Sequence, residues 1–395
     1  MYQRFADIID AVTTIRHDIH AHPELAYAEH RTAALVAEQL AAAGLRVTTG
    51  IGGTGVVGTL GHGRPGPALG LRADMDALPF HEEGSPAYAS TTPGVFHGCG
   101  HDGHTAILIG AARHLASLPP FDGAIHFIFQ PAEEGHAGAR AMIEDGLFER
   151  FPCDYVFALH NWPDLQAGEV QTRPGPIMAA ADKFEIAIHG KGGHAAQPHT
   201  TPDAVLAAAQ LVTQLNTIVA RRVPPTRSAI LSVTQIAGGL THNVIPAEVR
   251  LVGTVRTFDA QAQEIVEAAI RSMAEGIGIA SDTRVEVRYT RYYPATINDA
   301  GAAAIALAAA ADAGLPHGEA PDPAFTSEDF SFMLQACPGA YVWLGQARAD
   351  GENAALHHPR YDFNDAIIGP GIAWLSAVAA RVLAMPDAGR VEGRW

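Results

Sequence analysis

AIHFIFQPAEEG, residues Ala124–Gly135, is an apolar run that stops at a proline and is followed by two adjacent acids. Ala124–Gln130 reads as a buried strand, and Glu133 and Glu134 follow Pro131 at its carboxyl end. Upstream, Leu69–Asp76 (LGLRADMD) has the same form: an apolar run that ends in two acids, Asp74 and Asp76. Downstream, Asp154–His160 (DYVFALH) is a third such strand, ending in a histidine. Three apolar strands, separated by helices and each delivering donors at the same end, describe a mostly parallel sheet. In open α/β sheets that edge is where ligands bind.

Around these strands the rest of the chain falls into place. Phe5, Ile8, Ile9, Val12, Ile15 and Ile19 recur at helical spacing, giving a helix that stops before Pro23. A second helix is expected from about Tyr27 to Gly44, strands over 46–60 and 67–74, and a helix over Thr105–Leu118. From Lys183 the pattern changes. Strands at Phe184–His189, Ser228–Ile236, Glu248–Phe258 and Arg284–Arg291 alternate with helices at Pro202–Ala220 and Gln261–Ile279. That βαββαβ order is the split, ferredoxin-like unit, complete in itself and so read as an insertion. After Thr296 the α/β character returns: a helix to Ala313, a strand at Ala340–Leu344, a polar loop through His357 and a last helix from about Ala366. The expected division is 1–181 and 296–395 for a catalytic domain, with 182–295 as a lid and dimerisation domain.

Composition bounds the function. At 395 residues, two domains are the natural expectation. A net charge of −16 counts against nucleic acid and against anionic membranes as partners. Three cysteines, Cys99, Cys153 and Cys337, imply no disulfide framework. The amino-terminal residues lack a signal-type apolar run, and the alanine-rich stretch Ala302–Ala311 is too short to span a bilayer, so a cytoplasmic protein is expected. One motif misleads. Gly50-Ile-Gly-Gly-Thr-Gly55 matches the dinucleotide fingerprint G-x-G-x-x-G, but Val56–Leu60 continues as a strand where a helix must open to meet a pyrophosphate. It is read as a glycine-rich hairpin.

The chemistry concentrates in His97-Gly-Cys99-Gly-His101-Asp-Gly-His104-Thr105, where three imidazoles, a thiol and a carboxylate share nine positions. Cys99 and His101, two apart, can point the same way in an extended or looped segment, and thiolate and imidazole suit zinc or a neighbouring transition metal. The side chains of adjacent Glu133 and Glu134 diverge, so one can ligate while the other faces a bound water. That division of labour is what metal-assisted hydrolysis requires. Cys99, His101, Glu134, His160 and one histidine of the pair His357-His358 supply five donors, enough for two ions with a shared ligand. Taken singly, each has a plainer reading: a solvated Glu-Glu pair, a core histidine, a polar loop.

With those residues assembled, the chain resembles the dinuclear metal-dependent amidohydrolases that include hippurate hydrolase, bacterial aminoacylases and plant indole-acetyl-amino-acid hydrolases, relatives of carboxypeptidase G. The matching stretches run in order from Arg16–Glu24 (RHDIHAHPE) through LRADMDALP, HGCGHDGHT, QPAEEG, GKGGHA, GGLTHNVIP, GTVRTF and SEDF to Leu356–Asn364 (LHHPRYDFN). The resemblance implies a zinc-peptidase-like catalytic domain with the inserted unit. It implies two divalent ions per subunit (zinc, or manganese, cobalt or nickel) held by Cys99, His101, Glu134, His160 and His357, with the bridging ligand left open. Glu133 becomes the general base, and Asp76 orients a ligand imidazole. His194 stabilises the oxyanion, in its own or a partner subunit's site, and Asn243 and Arg256 hold the substrate carboxylate. The expected reaction is hydrolysis of N-acyl-L-amino acids by a metal-activated water, in a homodimer or homotetramer. Two rivals stand beside it: a dipeptidase or carboxypeptidase with the same chemistry, and a non-catalytic metal-binding protein, which would have no use for Glu133. One departure is Thr326, which precedes Ser327-Glu-Asp-Phe330 where relatives often have glycine.

Overall fold

The glycine-rich turn is a hairpin, as read: Arg46–Ile51 (β1) pairs antiparallel with Gly55–Leu60 (β2), and Gly52 and Gly53 take positive φ between them. These strands open an eight-stranded sheet in a computed structural model that describes residues 5–348, 351 and 354–385. Next to β2 come Ala124–Gln130 (β4), then Ala68–Asp74 (β3), then Tyr155–Gln166 (β5), then Gly339–Ala347, Val170–Thr172 and His317–Glu319. The central strands β4, β3, β5 and Gly339–Ala347 are parallel, and β3 and β4 are buried along nearly their whole length. Their register aligns the carboxyl ends. Arg72 sits opposite both Ile128 and Ala158, and Asp74 opposite Gln130, so Asp74, Gln130 and His160 emerge at one level of the sheet.

The longer helices of this unit are Ala6–Ala21 (α1), His30–Ala42 (α2), His101–Ala116 (α3), Ala300–Asp312 and Ile368–Leu383. α3 is the central one: every residue from His101 to Ala112 is buried, and α1 and Ile368–Leu383 pack against it. The nineteen-residue stretch Asp365–Leu383, mean hydropathy 1.7, matches a membrane span in length and composition, and it is more span-like than Ala302–Ala311. Yet 67% of it is buried in the fold, with Trp374 fully buried and its indole N–H donating to Ala306 O at 3.0 Å. It is a core helix.

Two helix starts differ from the sequence reading. α2 begins at His30, not Tyr27, because Tyr27 adopts φ +61° and the Glu24 carboxylate accepts from the free N–H groups of Arg31 and Thr32. α3 begins at His101, not Thr105. Gly100, at φ +90°, turns the chain so that its carbonyl accepts from the N–H groups of Gly103 and His104.

A second compact unit comprises Met178–Thr296 together with Pro323–Glu328. The chain therefore makes two excursions into it, whereas the sequence reading placed one, over 182–295. The four strands of its larger sheet run in the spatial order Ala229–Gly238, Glu248–Thr257, Ala180–His189, Arg284–Tyr293, all antiparallel. Helices Ala204–Leu215 and Ala260–Ser281, capped by the Asp203 and Asp259 carboxylates, cover a core built on Phe184, Ile186, Ile188, Leu211 and Ile270.

Candidate active site

Cys99, His101, Glu134, His160 and His357 converge at the carboxyl rim of the parallel strands. Donor atoms of Cys99, His101 and His160 lie within 4.8 Å of one another, and so do those of Cys99, Glu134 and His357. Cys99 belongs to both sets. Its Sγ lies 3.4 Å from His160 Nε2, and Glu134 Oε1 lies 3.2 Å from His357 Nε2. A third set joins His101 to Glu133 and Glu134.

Local backbone explains the convergence. After Pro131, Ala132 is held at φ +56°, a left-handed conformation that costs about 1–2 kcal/mol for a residue with a Cβ. Its N–H donates to Glu29 Oε1 at 2.8 Å, which holds the turn, and the backbone leaves helical geometry at Glu134 (φ −70°, ψ 76°). The Glu134 N–H donates to Asp76 Oδ2 at 2.9 Å. His357, also at positive φ, is tied to the glycine loop by its N–H, which donates to Gly98 O at 2.8 Å.

The hydrogen bonds also set which nitrogen faces the cluster. His101 Nδ1 lies 2.9 Å from Asp76 O and 3.2 Å from Asp76 Oδ1. A carbonyl oxygen can only accept, so Nδ1 carries the proton and Nε2 points into the cluster. Likewise His160 Nδ1–H donates to Asn161 O at 2.7 Å, leaving its Nε2 lone pair toward Cys99. Asp76 thus holds the His101 ring from the side away from the cluster.

These residues fit divalent cations on structural grounds. His101 Nε2 is buried without a hydrogen-bond partner; its nearest carboxylate oxygens, on Asp74 and Glu134, stand at 3.8 and 3.9 Å, too far for hydrogen bonds. An orphaned, oriented lone pair beside a thiol and a carboxylate is a donor set for zinc or a similar metal. The electrostatics agree. Burial opposes a charged His101, but Asp74, Asp76 and Glu134 together push it up to about 10 when no cation neutralises them. Burial, reinforced by Glu134, Glu133 and Asp74, raises the Cys99 thiol well above its usual range, and coordination to a metal would deprotonate it outright. Burial and then His104 push His160 well down, keeping it in the neutral, ligating form.

The remaining candidates lie in the second unit. His194 is in a two-residue strand paired with Val244–Ile245, and the adjoining Ala195 N–H donates to Asn243 O at 3.1 Å, so His194 and Asn243 are neighbours. Both are exposed. Arg256 lies on strand Glu248–Thr257, half-buried, opposite Ala181.

The residues 70–381 match the model of peptidase family M20/M25/M40. The chain belongs to that family. It is 39% identical over 372 residues to a hippurate hydrolase of Campylobacter jejuni, covering 93% of this chain and 96% of that one. It is 38% identical over 344 residues, 86% of each chain, to thermostable carboxypeptidase 1 of Saccharolobus solfataricus. In structure it is similar to a Bacillus subtilis dinuclear metal-binding peptidase of family M20, with a TM-score of 0.86 and 32% identity over 96% of this chain and 99% of that one. The chain is therefore an amide-bond hydrolase of the M20 family, acting on small molecules, with a cluster of metal-ligand side chains at the rim of its parallel sheet.

Sequence reading passed over a layer of buried side chains beneath this M20 cluster. Asp74 Oδ1 lies 2.6 Å from His104 Nδ1, and His104 Nε2 lies 2.6 Å from Asn161 Oδ1. Asp74 Oδ2 accepts from Arg72 Nη1 at 2.8 Å. The one available signal was the spacing of His101 and His104, three apart at a helix start, which puts both on one face.

Proposed function

We propose that this protein hydrolyses the amide bond of N-acyl-L-amino acids, using two divalent ions held by Cys99, His101, Glu134, His160 and His357. The observation that carries the reading is the pair of donor triplets sharing Cys99, with Glu133 beside them but outside both. Cys99, common to both triplets, would be within reach of either ion. Bound ions would supply a water of pKa about 7 and polarise the scissile carbonyl. Glu133, only 7% exposed, takes the proton from that water and returns it to the leaving nitrogen. Asp76 holds the His101 ring, and His194 donates to the oxyanion while Asn243 and Arg256 bind the substrate carboxylate. The metal is zinc or manganese, cobalt or nickel, and the 182–295 region serves as lid and dimerisation surface of a cytoplasmic enzyme.

A second reading, removal of a carboxyl-terminal residue from a peptide, has the carboxypeptidase relative in its favour. The two differ only in whether the acyl group carries an ammonium. Comparing kcat/KM on N-acetyl and N-benzoyl amino acids with that on dipeptides of the same leaving residue separates them. The proposal expects the N-acyl substrates to lead; dipeptides leading by tenfold or more would transfer the function to the second reading.

A further inference from the structure

Beneath the cluster, Arg72 makes a three-armed contact with the ends of three chain segments. Its Nε donates to Gln130 Oε1 at 2.7 Å, Nη1 to Asp74 Oδ2 at 2.8 Å and Nη2 to Asp329 Oδ1 at 3.2 Å. Gln130 Nε2 donates to both Asp329 oxygens, at 2.7 and 2.9 Å, and the Ala139 N–H donates to Asp329 Oδ2 at 2.9 Å. Arg72, Asp74, Gln130 and Asp329 are all buried, and Phe330 lies under the guanidinium at 5.7 Å from ring centre to Cζ. The Asp329 carboxylate is thus fixed from three directions, and its own N–H donates to Glu133 Oε1 at 3.4 Å. Asp329 is also where the chain re-enters this unit after Pro323–Glu328.

We infer that Asp329, clamped by Arg72 and Gln130, is a positioning residue for the general base: it fixes the backbone N–H that aims the Glu133 carboxylate. The inference rests on the reading of Glu133 as that base. An arginine suits the clamp because its three nitrogens, spread over a planar fork, each meet a different acceptor, where a lysine ammonium is a single point of donors. A 3.4 Å contact is long for a hydrogen bond, so small losses of alignment weaken it steeply. None of the clamp residues is among those proposed to bind the substrate or the ions, and so loss of the clamp should act on turnover and leave binding alone.

The test is a double-mutant cycle between Asp329→Asn and Glu133→Gln, read as kcat, KM and metal content of the loaded enzyme. Asp329→Asn alone should lower kcat by about ten- to hundredfold, as expected for sub-ångström misplacement of a catalytic group, with KM within about twofold and metal content unchanged. Added to Glu133→Gln, the same substitution should lower kcat by less than twofold, because it acts through a base already removed. Equal effects in both backgrounds, or a kcat within twofold of wild type for Asp329→Asn, would overturn the inference. If Asp329→Asn does not fold, Gln130→Met removes one clamp arm without altering charge and should show the same non-additivity, with equal effects again overturning it. Normal turnover of Glu133→Gln by itself marks a different failure, that of the base assignment.

Discussion

Single residues do their work here by being denied alternatives. His101 Nδ1 is occupied by Asp76, and its buried Nε2 has no hydrogen-bond partner. Glu133→Gln should therefore keep the metal content of the wild type while losing at least about a hundredfold in kcat; elemental analysis beside steady-state kinetics checks both halves. A second prediction concerns His20, buried between Asp102 at 2.9 Å and Glu82 at 3.4 Å. Burial opposes its charge, but Asp102 prevails and pushes it up to about 9. The folded state thus holds a proton that the unfolded chain releases near 6.5, so this contribution is complete below pH 6.5 and is lost as pH rises through 9. His20→Asn should be most destabilising below pH 6.5 and progressively less so toward pH 9; a pH-independent difference in urea unfolding would contradict this. Cys99, His101, Glu134 and His160 were legible because they fall within a nine-residue run or follow apolar runs, whereas His357, in a loop, was separated from His358 only by the resemblance. Asp74–His104 and Arg72–Asp329 were not legible, since they join residues 30 and 257 positions apart, and a pairing of that range leaves no local pattern.

At the scale of elements, the site depends on where strands stop and where one helix starts. β3, β4 and β5 were recognisable from apolar runs that end in polar residues, and their parallel register brings Asp74, Gln130 and His160 level, although β5 continues past His160 to Gln166. The start of α3 was misplaced by four residues because it is made by a turn, not by hydrophobic period. Gly100 makes that turn at φ +90°, and a Cβ there would stand 2.4 Å from Asn161 Oδ1 and 2.6 Å from the Tyr361 hydroxyl. Gly100→Ala should consequently destabilise the protein by more than about 1–2 kcal/mol, the left-handed penalty alone, and displace Cys99 from His160. Wild-type metal content together with an unchanged urea midpoint would show the turn to be dispensable. α2 was misplaced for a related reason: the Glu24 carboxylate that satisfies its first N–H groups lies several residues upstream of the helix.

The whole molecule comprises a unit that carries Cys99, His101, Glu134, His160 and His357 and a second, antiparallel unit that carries His194, Asn243 and Arg256. The α/β class and the βαββαβ order were readable from periodicity. The short return of Pro323–Glu328 into the second unit was not, because six residues are too few to show a period. Since the donors are supplied by segments as far apart as Cys99 and His357, ions that bind only the folded chain stabilise it by about 2.7 kcal/mol at a hundredfold excess over Kd. Chelation should lower the thermal midpoint reversibly, and a midpoint indifferent to chelator and to added metal would contradict a site of this kind. The most direct test of the central claim is a titration of metal-free protein with zinc or manganese, following release of the amino acid from an N-acyl substrate. Activity that climbs from baseline and saturates at two ions per chain is the predicted result. Full hydrolysis by the metal-free protein, or saturation of metal binding at two ions with no hydrolysis of any N-acyl amino acid or dipeptide, would contradict it.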